Sequence, residues 1–400
     1  MMSARRTHRT DTRHGLLTPD YLIVGSGLTG SVIARTLADA GRDMLIVERR
    51  GHVGGNVHDH EHASGIRVHT YGPHYFRTNS DRIWEFVTRF AEFFKYEARL
   101  KTLVDGRHEN WPIAASYIAE HIGADWRPEF TGTPTNFEEA ALSLMPRAIY
   151  EKFIKEYNEK QWGVPAHTLS ADLCKRFDVR ADDNPILKPD CKHQGIPLLG
   201  YAHLMRRMIE GVPVELDFDY PLRKAEVRAQ KLTIFTGPID AAFDYKLGKL
   251  KYRGQQRRHT YLPDTKKAQP CGQVNTPMHS QGKAIRTLEW KHMMPADRAR
   301  EIPGTLLTTE TPFSPTDPGR FEYPFPDDDN AQLYRRYRAM ADDADRLLVC
   351  GRLGEYRYFD MDQAIARAML LAERILLNEP RCDRLPGRCK ILILRKGQPR

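Results

Sequence analysis

The sequence lacks several things that would place it quickly. No stretch of its 400 residues approaches the roughly eighteen consecutive apolar residues of a membrane-crossing helix. The first residues are rich in arginine but have no apolar run behind them, so no secretory leader is expected. Cysteine is sparse: Cys174, Cys191, Cys271, Cys350, Cys382 and Cys389 are scattered, with no CxxC pair. Neither a zinc site nor a disulfide framework is indicated, and a metal-free, reduced, cytoplasmic protein is expected. The body of the chain also lacks net charge. Residues 1–18 carry four arginines against one aspartate, and residues 379–400 carry seven basic against two acidic residues. The two tails therefore hold eight of the nine formal positive charges, and no nucleic-acid surface is expected. No internal repeat is visible. Hydrophobic content of 40% and aromatic content of 10% are those of a globular protein with a large core.

What the sequence does have begins at 21–48. The short apolar run Tyr21-Leu22-Ile23-Val24 suits a buried strand. It stops at Gly25-Ser26-Gly27-Leu28-Thr29-Gly30, and a helical pattern follows with Val32, Ile33, Leu37 and Ala38 on one face. A second apolar run, 44–47, ends on Glu48. Strand, glycine-rich turn, helix, strand and acid, in that order, point to a dinucleotide. Gly25 permits the tight turn, Gly27 leaves room for a pyrophosphate, and Gly30 lets helix and strand pack closely. The helix N-terminus offers unpaired N–H groups to phosphates, and Glu48 can accept hydrogen bonds from a ribose. Gly51-His52-Val53-Gly54-Gly55-Asn56 follows closely. A glycine doublet here resembles the extended fingerprint of FAD enzymes of the glutathione-reductase and amine-oxidase type. An ordinary glycine-rich turn is the alternative.

Further along, 66–71 reads as a strand, 81–94 as an amphipathic helix, and 103–107 as a hairpin. Residues 113–170 are helical in pattern. Thr135-Asn136-Phe137-Glu138 has the form of a capping box, and Ile149, Phe153 and Tyr157 recur every four residues up to Gly163. A helix is expected over 201–210, a buried strand over 232–237, and an antiparallel sheet over 244–343. A strand ending on Gly351 and a last helix over 363–377 return to the opening style. The fold class is thus α/β. A Rossmann-like FAD-binding domain is assembled from 20–84, 197–243 and 344–379. A helical domain with a mobile substrate loop is inserted at 110–192, and an antiparallel β-sheet domain comprises 93–109 and 244–343. Residues 1–18 and 380–400 are expected to be a disordered basic arm and a basic tail.

Several stretches together resemble one family. They are Gly72-Pro73-His74, Lys160-Gln161-Trp162-Gly163, Val179-Arg180, Gln194-Gly195-Ile196-Pro197, Thr236-Gly237-Pro238-Ile239-Asp240, Phe243-Asp244-Tyr245, and the run 351–362. In that order, over roughly residues 20–377, they resemble the flavin-dependent UDP-galactopyranose mutases of bacteria. The resemblance implies interconversion of UDP-galactopyranose and UDP-galactofuranose, through a covalent N5 adduct of FAD that must be reduced. It implies an external reductant, such as NAD(P)H or a reductase, and a homodimer or higher oligomer. The single GxGxxG leaves no second nucleotide domain for a resident hydride donor.

The resemblance also implies site residues. Arg180, on the loop, and Arg286, in the sheet, would clamp the diphosphate, which suits the planar fork of arginine. Tyr323 and Tyr358 would donate hydroxyls to the same phosphates. Phe153 and Tyr157 would hold the uridine, Trp162 would lie near the sugar and Asp360 near flavin and substrate, and His74 joins the catalytic set. Asn184 joins the substrate set. Gly55, Arg49, Asn56, Gly351, Arg352 and Met361 join Gly25, Gly27, Gly30 and Glu48 around the cofactor. By pattern alone, Phe153 and Tyr157 read as core, Arg180 as a surface charge, His74 as a hydrogen-bonded core histidine and Tyr323 as a sheet aromatic.

Two departures stand out. Asp182-Asp183-Asn184 is followed by Pro185-Ile186 where the family carries an aromatic pair, leaving open what stacks on uracil. Arg77 replaces a histidine beside the expected sugar site. A guanidinium there donates hydrogen bonds and cannot accept them, so UDP-N-acetylgalactosamine becomes an alternative substrate. The rivals to a mutase are an FAD oxidoreductase of the amine-oxidase type and a non-catalytic flavoprotein that binds UDP-sugars.

Overall fold

In the computed structural model, which describes residues 10–11, 16–176 and 179–378, the run Tyr21–Val24 is the middle strand of a five-stranded parallel sheet. Its neighbours are Met44–Val47 and Leu232–Phe235, with Val214–Glu215 and Leu347–Val349 at the edges. Successive residues of the central strand feed opposite layers. Tyr21 and Ile23 join Met44, Ile46, Val32, Ile33 and Leu37 in one core, while Leu22 and Val24 join Leu45 and Val47 in another. Both faces are covered, which is why these strands are continuous apolar runs and do not alternate. The Leu28–Asp39 helix lies beside the Met361–Asn378 helix, so the two ends of the sequence close one layer.

The insert has its own core, built from residues that include Phe137, Tyr150, Phe153 and Trp162. Its central helix is not uniform. Tyr150–Lys155 is a π-helical turn leading into the α-helix Glu156–Trp162. A π-turn takes more residues than an α-turn, so a spacing of four does not hold one face through it. Phe153 stays in the core at 2% exposure, while Tyr157 reaches a cavity wall. The helix ends at Gly163, with φ +74°, and Arg253 donates to the carbonyls of Gln161 at 2.7 Å and Lys160 at 3.2 Å.

The second large sheet has seven strands, in the order Arg107–Trp111, Leu100–Val104, Gln273–Asn275, Arg286–Glu289, Thr305–Phe313, Tyr252–Leu262 and Tyr323–Pro324. All its pairings are antiparallel except that of Leu100–Val104 with Gln273–Asn275. The 103–107 hairpin turns through Asp105 and Gly106, both at positive φ, as a two-residue turn requires.

Several boundaries differ from the sequence reading. The helix expected over 81–94 is Asp81–Thr88, because Phe93–Lys95 instead pairs with His193–Pro197 in a separate three-stranded sheet with Phe76–Thr78. Residue 93 therefore does not open the large sheet. The cap before Phe137 is Asn136, with Glu139 as its partner, one residue later than the expected box. Residues 328–343, assigned to the sheet, form the helix Asp328–Asp343, and Asp327 caps it through the Asn330 N–H. This helix packs on Leu347–Val349 of the parallel sheet. Within the expected arm, Thr10–Asp11 pairs with Leu16–Leu17, and Leu17 bridges Val227. The apolar Leu16-Leu17 pair thus ties its own segment to the body. The other arm residues, 1–9 and 12–15, and the tail 380–400 lie outside the described residues. Among the described residues no helix is long and apolar enough to cross a membrane.

Candidate active site

The glycine turn forms a cradle that side chains would fill. Gly25 has φ +103°, and a Cβ there would lie 2.2 Å from Thr236 Oγ1. A Cβ on Gly30 would lie 2.0 Å from the Gly25 carbonyl oxygen, and one on Gly55 would lie 2.9 Å from Gly27 Cα. The two glycine loops therefore meet backbone to backbone. No side chain caps the helix that begins at Leu28. Glu48, at the end of the next strand, accepts from Ser26 N at 2.8 Å, Ser26 Oγ at 2.7 Å and Arg50 N at 3.0 Å. These contacts use three of its roughly four acceptor positions and aim the carboxylate along the cradle. The cavity here is walled by Gly25, Gly27, Glu48, Arg49, Gly55, Asn56, Gly351, Arg352 and Met361. Gly30 is in the packing behind it. Arg49 pairs with Asp219 at 2.9 Å, and Asn56 is held by Arg50 and by the Phe321 carbonyl. An elongated dinucleotide fits this chemistry: bare backbone for a pyrophosphate, an acid for a ribose and an apolar wall for a ring.

Asn56, His74, Arg352 and Met361 are shared with a second, larger and open cavity. Its walls bring together His74, Arg77, Trp162, Arg286, Tyr323, Tyr358 and Asp360 from three parts of the chain. The Tyr323 and Tyr358 rings stack with centroids 6.2 Å apart, and the Arg352 guanidinium lies 4.6 Å over Tyr358. Burial raises the Tyr323 hydroxyl above its ordinary range, so it stays a donor, although Arg286 works against the shift. His74 Nδ1 donates to the Gly72 carbonyl at 2.7 Å. Burial, reinforced by His69 and Arg352, pulls the His74 imidazole well below its ordinary value, so it is neutral with Nε2 unprotonated. Arg77 pairs with Asp360 at 3.3 Å. Tyr157 lines a side recess with Trp162, Arg286 and Tyr323.

Three expected residues are not brought into this cluster. Phe153 packs edge-on against Tyr117 in the helical core and lines neither cavity, as its apolar stripe alone suggested. Asn184 uses Oδ1 to accept from Ile186 N and is absent from the cavity walls. Arg180 donates to the carbonyls of Asn184, Ile186 and Leu187 at 3.3, 2.9 and 3.0 Å. It lines a neighbouring cavity that adjoins the large one at Arg77 and Asp360, and not the wall that holds Arg286. The loop carbonyls accept from the guanidinium and draw it inward. The sequence reading missed Tyr71, Trp111 and Gln273 in the large cavity, and Glu310 and Arg257 beneath it. An acid at 310 inside an otherwise half-buried strand was the available signal.

A doubly covered parallel sheet with a glycine cradle at its carboxyl ends, opening into a cavity walled by arginines, acids and tyrosines, defines a dinucleotide-binding protein with an adjoining polar substrate site. Comparison with known proteins narrows this. The family model for UDP-galactopyranose mutase matches residues 152–358, more than half of the chain, and that of an NAD(P)-binding Rossmann-like domain matches 23–90. A probable UDP-galactopyranose mutase of Klebsiella pneumoniae is 31% identical, over 92% of this chain and 97% of that protein. A dTDP-fucopyranose mutase of Escherichia coli is 30% identical, over 89% of this chain and 98% of that protein. The crystal structure of a reduced UDP-galactopyranose mutase superposes with a TM-score of 0.68 at 15% identity, covering 90% of this chain and 95% of that one. A putrescine oxidase bound to putrescine superposes at 0.57 and 13%, over 90% and 100% of the two chains, so the same fold serves another chemistry. The chain belongs to the UDP-galactopyranose mutase family, and it is accordingly an isomerase.

Proposed function

We propose that the protein binds FAD in the glycine cradle and interconverts UDP-galactopyranose and UDP-galactofuranose in the adjoining cavity. The observation that carries this reading is the shared wall: His74, Arg352 and Met361 face both the cradle and the space around Arg286, Tyr323 and Tyr358. Reduced flavin supplies a nucleophile for the anomeric carbon, and an external donor must keep it reduced. The chain's residues do the rest. Arg286 and Arg352 offer guanidinium donors to the diphosphate, which must stay bound while the sugar ring reopens and closes. Tyr323 and Tyr358 donate hydroxyls to the same oxygens. His74, neutral and fixed by Gly72, offers its unprotonated Nε2 as a hydrogen-bond acceptor to a sugar hydroxyl. Arg180 joins by leaving its loop carbonyls and the nearby Asp182 for the doubly charged diphosphate, to which its planar fork can donate in pairs.

The test is incubation of dithionite-reduced protein with UDP-galactofuranose, followed by chromatography for the pyranose. Formation without oxygen consumption supports a mutase. Oxygen uptake linked to substrate loss, or UDP binding without conversion, overturns it. A second reading, a dTDP-sugar substrate, is favoured by the near-equal identity to the dTDP-fucopyranose mutase. The same assay with dTDP-fucose and with UDP-N-acetylgalactosamine separates the three.

A further inference from the structure

At and behind the wall of the large cavity lie four charges, buried or nearly so, arranged by sheet register. Glu310 stands opposite Arg257 on one neighbouring strand and opposite Arg286 on the other. Arg257 Nε donates to Glu310 Oε1 at 2.7 Å, and its Nη1 and Nη2 donate to the two oxygens of Glu322 at 2.9 Å each. Arg286 Nε donates to the remaining oxygen of Glu310. The Glu310 side chain is fully buried, and those of Glu322 and Arg257 are 5% and 10% exposed. Burial pushes the Glu310 carboxyl up, but the two guanidiniums outweigh it and hold it below the ordinary range. Two cations thus face two anions, and the set is neutral.

Arg286 and Glu322 reach the cavity wall, while Arg257 and Glu310 lie behind it. Arg286 is held through Nε alone, and among the described residues its Nη groups have no hydrogen-bond partner. The loop carrying His74 rests on the same set. A Cβ on Gly72 would lie 3.0 Å from an Arg257 nitrogen and 3.1 Å from Glu310 Oε1.

We propose that Arg257 is a positioning residue for the sugar nucleotide, acting through Glu310 and Arg286; this role rests on the sugar-nucleotide reading above. By satisfying Glu322 and half of Glu310, it leaves Arg286 anchored by one edge with its fork available to phosphate. Without Arg257, two buried carboxylates share one guanidinium. An unpaired buried charge is costly, so Arg286 is drawn onto the acids and the wall gains a negative charge facing the diphosphate.

The test measures UDP binding by titration calorimetry on the full-length, FAD-loaded protein. Arg257→Met should raise the Kd for UDP about 10- to 100-fold, leave flavin content and visible spectrum intact, and raise KM more than it lowers kcat. Combining it with Glu322→Gln restores charge balance and should recover most of the loss. Arg257→Lys keeps the charge but cannot bridge both acids, so an intermediate loss is expected, and this variant and the double variant carry the test if Arg257→Met does not fold. A Kd within about twofold of the original for Arg257→Met, or for Arg257→Lys where that variant stands in, overturns the role, as does a double variant no better than the single one. Failure of the unaltered protein to bind either UDP or dTDP overturns the sugar-nucleotide reading itself.

Discussion

Replacing Arg286 by alanine should remove two separate contributions, and the structure allows each to be sized. The first is the direct phosphate contact. Arg286 walls the large cavity and its side recess, with its side chain 13% exposed. Losing one partner of a desolvated, charge-assisted contact costs about 2–4 kcal/mol. The second arises behind it. Glu310 and Glu322 are left with Arg257 alone, so the wall carries one excess negative charge. A unit charge about 8 Å from a phosphate, at an effective dielectric of about 20, repels it by about 2 kcal/mol. Together these give about 4–6 kcal/mol, or roughly 10³- to 10⁴-fold in kcat/KM. The assay is the reduced-enzyme conversion of UDP-galactofuranose at low substrate, with flavin content checked by absorbance. Adding Glu310→Gln to Arg286→Ala removes the excess charge and should recover roughly 30-fold of the loss. Arg286→Lys keeps the charge without the fork and should retain more activity than alanine. A loss below about 10-fold for Arg286→Ala, with flavin retained, would refute the reasoning, since either contribution alone exceeds it.

Arg77→His should move the kcat/KM ratio between UDP-galactose and UDP-N-acetylgalactosamine by roughly 10- to 100-fold toward galactose; an unchanged ratio leaves Arg77 as the partner of Asp360 only. Gly30→Ala places a Cβ 2.0 Å from the Gly25 carbonyl oxygen, so the turn must open at a cost of about 1–3 kcal/mol, and the purified protein should lose most of its FAD. Full flavin occupancy after that change would show that the turn is not the cradle. His69 is fully buried, and its imidazole is lowered to about 4, first by desolvation. The unfolded chain therefore binds the extra proton below pH about 6.5, and stability falls as pH falls from there toward 4, by about 2 kcal/mol at pH 5. Thermal midpoints of the unaltered protein and of His69→Gln should converge as the pH is lowered through this window; parallel curves would contradict it.

Legibility followed the range of the interactions. The GxGxxG turn was readable because its requirements are local: Gly30 and Gly25 meet within one turn of chain, and only the absence of side chains allows it. The parallel sheet was readable because strands buried on both faces must be continuous apolar runs. The helix Asp328–Asp343 was missed although Asp327 and its acidic first turn were signals, because few of its residues are buried and its apolar pattern is weak. The strand Phe93–Lys95 was read as the end of a helix because its partner, His193–Pro197, lies about a hundred residues away. Phe153 and Tyr157 share a spacing that an α-helix would place on one face; the π-turn between them separates their fates.

The sequence by itself determined the dinucleotide cradle, the alternation of layers around the first sheet, and a motif order specific enough to indicate the family. These depend on steric needs of neighbouring residues and on periodicity, both of which are written locally. Only the tertiary structure decided that Arg286 stands ready in the cavity while Arg180 is engaged by its own loop, and that Arg257, Glu310 and Glu322 balance charge behind the wall. A charge's role depends on which opposite charges share its burial, and here those partners come from strands up to 65 residues apart. No local pattern encodes that register; the sheet does.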